Sequence, residues 1–444
     1  MLIAYTAMRH THGLWAFGLL MALISSASCS RRTQDPNADK ATKVTPDSAA
    51  APSDGVSGTE VIIGQPAAFT GMAAALGIEV WRGASAAFSE VNDAGGVYGR
   101  KIKLVVADDA YRIDSAASTF VSLVEQEHVF TVFGGVGSPT LIRVLPALHQ
   151  YRQETGLFYF SNFSGAQPQR QPPYADDVFN VRASYYQETV TIVDGLLASG
   201  RKKIGAFTTI ESHTTAALAR TLTERGMAIA KEVTFERDKQ SWDISFRAHA
   251  ETVKSAGIDA IMCSGSYQPC AAFIRDMRES GSKVPIYITS FAGPDQLRHL
   301  LAEQQKKTGN RLMYNIVFTS VVPHYDDVDT PLVRQYRAAI DRYKPTAPSI
   351  SSKTGYSPPT PYTFDSLEGY VNARALLAVL EKTGKSLSRQ SFYAAAEGMG
   401  RFDLGLRAPV EFSHTRHQAL DKVWTFYLTS EGYKPANVAA LTFE

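Results

Sequence analysis

From Thr59 onward the chain alternates short apolar runs with amphipathic segments of helical length, and this alternation constrains the fold more than any other feature. The run EVIIGQPAAF reads as a strand. A helix is predicted over 79–93, with Val80, Ala84, Ala87, Phe88 and Val91 on one stripe and Gly95-Gly96 as its stop. Strands follow at 101–108, 129–134 and 156–161, with a helix at 113–127 and another opened by Pro139. The alternation then restarts. Helices at 186–199, 214–225, 246–256 and 269–279 interleave with strands at 203–208, 230–235, 259–264 and 284–289. Strand–helix units of this length build parallel sheets with right-handed crossovers and helices on both faces. Two successive series predict an α/β chain of two doubly wound lobes, and 444 residues, 44% of them hydrophobic, suffice for two cores. Helices at 331–343 and 365–383 complete the pattern. Between them the proline-rich segment 344–363 reads as a long loop, either mobile or packed on the surface.

In open parallel sheets ligands bind beyond the carboxyl ends of the strands, near helix N-termini. The segments so placed are GGVGSPT (134–140), SNFSG (161–165), TTIESHTT (208–215), SGSYQP (264–269) and TSFAGPD (289–295). They carry Ser, Thr, Tyr, His and Phe, with few charges.

The N-terminus points to export. Gly13–Ile24 is an apolar run of signal-peptide length, too short to span a bilayer, and the start is either Met1 or Met8. Small residues Ser25 to Ser28 precede Cys29, a pattern that resembles a bacterial lipobox with Ser26 where Leu is usual. Residues 1–28 are therefore expected to be a signal peptide and 29–58 a lipidated Cys29 with a disordered tether. Ordinary cleavage near the same place is the alternative. In an exported protein Cys263 and Cys270 are able to bridge, and spacing leaves that open.

FTGMAAALG after the first strand, the spaced Gly83, Ala87, Asn92, Gly95, Gly96 and Gly99, then GGVGSPT and SGSYQP carry a resemblance. TSVVPHYDDVDTPLVRQYRAAI, DSLEGYVNARALLAVL and FSHTRHQ extend it from about Val61 to the C-terminus. Together they resemble the type I periplasmic solute-binding proteins of the leucine/isoleucine/valine-binding branch. The resemblance implies the type I periplasmic-binding-protein fold, with two lobes joined by a multi-strand hinge: 59–183 plus 320–404, and 184–319 plus 405–444. It also implies a periplasmic or cell-envelope monomer that captures a carboxylate or amino-acid-like ligand. The partner would be an ABC permease of the inner membrane, or a membrane sensor kinase if the protein signals.

By the same resemblance Ser138 would hold a ligand carboxylate, at a helix start that favours anions. A plain helix cap is the other reading of that serine. Asn162 and Ser164 match polar contacts, Tyr267 a cleft-lining tyrosine, and His213 a neutral covering ring. Phe291 takes the place where amino-acid binders carry a carboxylate, with Asp295 and Glu211 as substitutes. An unpartnered ammonium is costly to desolvate, so a ligand without one is expected, walled by Leu76, Phe163, Tyr267 and Phe291.

Other classes find little support. The sequence contains no G-x-S-x-G, HExxH or P-loop motif, so no catalytic residue and no cofactor is expected. His414 and His417 have the spacing of a metal pair but no evident third ligand, and no metal site is expected. Gly134-Gly135-Val136-Gly137 lacks the third glycine of a dinucleotide loop. A net charge of +2 carries no nucleic-acid footprint.

Overall fold

The structure, a computed structural model, describes residues 54–237 and 241–443; the expected signal segment, Cys29 and most of the tether lie outside the described residues. The first half holds β1 (Glu60–Ala67), α1 (Ala74–Asp93), β2 (Lys101–Asp108), α2 (Ile113–Glu125), β3 (Thr131–Phe133), α3 (Ser138–Thr155), β4 (Tyr159–Phe160) and β5 (Val178–Phe179). These strands form one parallel sheet in the order β2-β1-β3-β4-β5, with Val61 opposite Ile102 and Val132 opposite Tyr159.

The chain then enters α4 (Tyr185–Ala198), β6 (Ile204–Thr209), α5 (His213–Thr223), β7 (Lys231–Phe235) and α6 (Arg247–Ser255). It continues through β8 (Ala260–Cys263), α7 (Tyr267–Glu279), β9 (Ile286–Ile288), α8 (Pro294–Thr308) and β10 (Ile316–Ser320). After α9 (Pro331–Tyr343), α10 (Phe364–Thr383), α11 (Arg389–Glu397), β11 (Gly400–Phe402) and β12 (Val410–Phe412) it ends in β13 (Trp424–Thr429) and β14 (Gly432–Pro435). The second sheet runs β14-β13-β10-β9-β8-β6-β7; its core is parallel, and β13 and β14 are antiparallel additions.

The C-terminal helices return to the first half. α10 lies along α1 with almost every residue buried from Phe364 to Leu380, including the polar Asp365, Ser366, Glu368 and Asn372. The two helices meet backbone to backbone. A Cβ added at Gly83 would sit 1.7 Å from the Ser366 carbonyl oxygen, and one at Gly369 would sit 2.1 Å from that of Val80.

Several expectations need correction. α1 begins at Ala74, not Glu79. Gly77 lies within α1, and a side chain there would strike the Ala68 carbonyl at 2.0 Å, so this glycine marks close packing of the helix on the chain leaving β1. α8 and α11 carry too few periodic apolar residues to have been read from sequence. The 156–161 strand pairs only at Tyr159 and Phe160. Order starts before Thr59, since Val56 already bridges to Val61.

The β11–β12 hairpin belongs to the first half: the Phe412 ring lies 5.9 Å from Phe160 and 5.4 Å from Phe179. The 404/405 boundary therefore falls too early, because these rings complete the core beneath β4 and β5. The 344–363 segment is packed, with Arg82 Nε and Nη2 donating to the carbonyls of Pro345 (2.8 Å) and Pro361 (3.1 Å). Cys263 and Cys270 are buried free thiols, and burial raises the Cys263 pKa. Among the described residues no helix is long and apolar enough to cross a membrane.

Candidate functional site

Each sheet has one place where its strand order reverses: between β1 and β3 in the first, and between β6 and β8 in the second. Loops leaving neighbouring strands diverge there to opposite faces and open a crevice. A narrow crevice, partly open to solvent, lies against both reversals. The first half contributes Tyr111, Ser138 and Pro139, and Tyr185 adjoins them from the start of α4. The second half contributes Thr209, Glu211, Ser212 and His213 after β6, Ser264 to Ser266 after β8, and Arg237 after β7. Phe291 closes the wall from a single 3₁₀ turn, Ser290–Ala292.

The starts of α3, α5 and α7 all border this space. Each brings the partial positive charge and free N–H groups of a helix N-terminus. At α3 the cap position is Gly137 with φ 112°, a backbone angle that suits glycine, and no side chain caps the helix. Ser138 is therefore the first helical residue and not the cap. Its Oγ lies 2.8 Å from Ser164 Oγ and donates to the Tyr185 hydroxyl at 3.4 Å. Glu211 is the one carboxylate lining the crevice among the described residues. Burial, with Arg237 adding to it, lowers the His213 pKa and keeps that ring neutral.

Of the residues singled out from sequence, Ser138, His213 and Phe291 line the crevice. Ser164 lies just behind Ser138, fully buried. Asn162 is buried too; its Nδ2 donates to the Tyr159 hydroxyl at 3.2 Å, and its Oδ1 has no partner. Phe163 backs the wall, its ring 5.7 Å from that of Phe291. Leu76 is buried in the same apolar cluster. Tyr267 begins α7 and is mostly buried, and beside it Gln268 Nε2 donates to the Met72 carbonyl at 2.9 Å, a bond between the two halves. Asp295 faces away from the crevice, accepting from the Tyr325 hydroxyl and the Phe364 N–H at 3.0 Å each. His414 and His417 both meet Glu397 at 3.2 Å, and among the described residues no three-residue group is arranged to hold a metal.

Sequence reasoning missed Tyr111, Tyr185 and Arg237. The first and last follow strands β2 and β7, so the same strand-end rule that found the other loops would have reached them. Tyr185 carried no signal, because a chain crossing between the sheets places it.

Below the crevice, Arg182 is fully buried. It donates to Glu188 (3.0 Å) and Glu368 (3.2 Å), and Glu188 in turn accepts the Ser290 N–H at 2.8 Å. This cluster joins the exit of β5 to α4, α10 and the turn that carries Phe291.

Residues 60–433 match the family described as periplasmic binding protein. The chain belongs to the periplasmic binding protein family. This periplasmic binding protein is therefore a receptor for a ligand and not an enzyme, and its family implies a periplasmic location. A crystal structure from Rhodopirellula baltica SH 1, described as "a possible leucine/isoleucine/valine-binding protein", is 31% identical. Its TM-score is 0.73, covering 88% of this chain and 99% of that one. A Thermus thermophilus branched-chain amino acid ABC transporter structure with bound valine shares the fold at 15% identity. Its TM-score is 0.71, covering 85% of this chain and 95% of that one. An "amino acid binding protein" of Pseudomonas aeruginosa is 28% identical over 223 residues, which is 50% of this chain and 58% of that relative's length.

Proposed function

We propose that this binding protein captures a small organic carboxylate, or an amino-acid-like compound, in the crevice between its halves and hands it to an ABC permease of the inner membrane. The observation that supports this most is the uncapped start of α3 at Ser138, set opposite the starts of α5 and α7 across one crevice. Converging N–H donors and dipole ends favour an anionic group without a bound counterion. The halves would close by hinge motion at the inter-sheet crossings, the Gln268 contact to Met72 being made on closure. A lipid on Cys29 would anchor the protein to the membrane, and the following segment would act as a tether.

Phe291 forms the wall where an ammonium partner was sought, and Glu211 stands exposed. A carboxylate without an α-ammonium is the ligand this wall accommodates at least cost. Thermal-shift and calorimetric titration with leucine, valine, aliphatic and aromatic acids, amides and dicarboxylates tests the reading. Acids are expected to stabilise the protein, and Ser138→Ala is expected to weaken their binding by roughly tenfold or more, through loss of one charge-assisted hydrogen bond. Strong binding of leucine or valine with no response to acids overturns the ligand class, and unchanged affinity in Ser138→Ala removes that serine from the site. Mass spectrometry of the mature chain decides lipidation at Cys29.

A further inference from the structure

The crevice has a second anion-receptive position, and it lies on the other half. Arg237 follows the edge strand β7 and lines the crevice together with Ser138. Its guanidinium lies 5.0 Å from the Tyr111 ring centroid, and among the described residues it meets no carboxylate. A guanidinium offers five donors in a planar fork shaped for a carboxylate or phosphate, and packing on one phenol leaves most of them unused. The single acid of the crevice, Glu211, does not pair with it among the described residues. Burial, with the Arg237 charge adding to it, lowers the pKa of nearby His213.

The loop that presents Tyr111 is strained in a specific way. Ala110 and Tyr111 both take left-handed backbone angles, φ 50° and 60°, which L residues adopt at a cost. Two carboxylates hold them there: Asp108 Oδ1 accepts the Ala110 N–H at 2.9 Å, and Asp109 Oδ1 accepts that of Tyr111 at 2.8 Å. Asp108 Oδ1 also accepts the Phe69 N–H at 2.8 Å, which ties the loop to the end of β1. Strain held in this way sets the Tyr111 side chain against Arg237 at the crevice wall. The far side of the pair borders a wider groove of about 1360 Å³, so Tyr111 and Arg237 separate the crevice from an open approach.

We propose that Arg237 is a ligand-binding residue that sets specificity, and that the crevice takes a compound with two anionic groups, one at the α3 start by Ser138 and one on Arg237. This rests on the carboxylate reading above and deepens it. A dianion would touch both halves and so favour the closed state over the open one, whereas a monoanion on Ser138 alone contacts one half. Charge-assisted, bidentate pairing supplies the discrimination.

The test is calorimetric titration of the mature protein with matched pairs: pentanoate against glutarate, benzoate against phthalate, and glutamate as the amino dicarboxylate. Wild type is expected to bind the dianion of a pair at least tenfold more tightly than the monoanion. Arg237→Ala is expected to erase that preference while changing monoanion binding less than threefold, and Arg237→Lys to restore part of it. Arg247→Ala, an exposed arginine on α6, serves as the charge control and is expected to behave as wild type. Arg237→Gln repeats the measurement should the alanine variant melt early. If monoanions bind and Arg237→Ala holds dianions as wild type does, this inference fails and the carboxylate reading stands. If wild type binds no acid of either kind, both fail.

Discussion

Gly83→Ala tests the contact that seats α10 on α1. The new methyl would start 1.7 Å from the Ser366 carbonyl oxygen and 2.7 Å from the Tyr370 amide nitrogen. Ordinary contact needs roughly 3.4 Å or more, so the helices must part locally by roughly 1.7 Å. Both obstacles are backbone, and no rotamer change relieves them. Overpacking typically costs about 1–3 kcal/mol and more where backbone must move, against roughly 1 kcal/mol gained from alanine's helix propensity. With both obstacles in the backbone the cost lies at or above the top of that range, and a net loss of about 2 kcal/mol or more is expected. Urea denaturation followed by far-ultraviolet circular dichroism reads it as a lowered midpoint. Gly369→Ala, whose Cβ meets the Val80 carbonyl at 2.1 Å, is expected to cost a similar amount. Ser85→Ala, only partly buried on the same helix, is expected to stay within about 0.5 kcal/mol of wild type. A Gly83→Ala protein as stable as the Ser85→Ala control would refute the backbone-to-backbone seating of α10.

Burial pushes Asp295 and Glu368 up to about 7, despite the N–H bond that Asp295 accepts and the arginine beside Glu368. Their folded pKa values exceed the ordinary unfolded ones, so the native state binds more protons between about pH 4 and pH 7. Stability is therefore expected to fall as pH rises through that window, each group adding at most about 1.4 kcal/mol per pH unit. Asp295→Asn is expected to flatten the slope of urea midpoint against pH, and an unaltered slope would rule Asp295 out as its source. Arg182→Met leaves Glu188 and Glu368 buried without their cation and is expected to cost about 3–5 kcal/mol. Adding Glu188→Gln and Glu368→Gln is expected to recover part of the loss, and a single-variant loss below about 1 kcal/mol would contradict the burial of the pair.

Strand and helix identity was legible wherever the signal was local. The 101–108 strand and the 331–343 helix have the bounds read from their patterns, and most other elements shift by one to three residues. Where a distant backbone decided the matter, local reading failed. The helix read from Glu79 begins at Ala74, and Gly77 within it is fixed as glycine by the Ala68 backbone, which no local pattern shows. The β11–β12 hairpin was placed with the wrong half, because Phe412 joins a core built from residues some 230–250 positions earlier.

The candidate site divides along the same line. Its loops could be named from sequence because strand ends and helix starts are local features, and those are where parallel sheets bind ligands. Which loops meet depends on strand order, and strand order is settled by long-range packing that no single segment encodes. The sequence by itself determined the βα units and placed Ser138 at a strand-to-helix junction. The tertiary structure alone decided that Arg237 packs on Tyr111 at the crevice wall, that Asp295 turns away, and that Arg182 is sealed beneath.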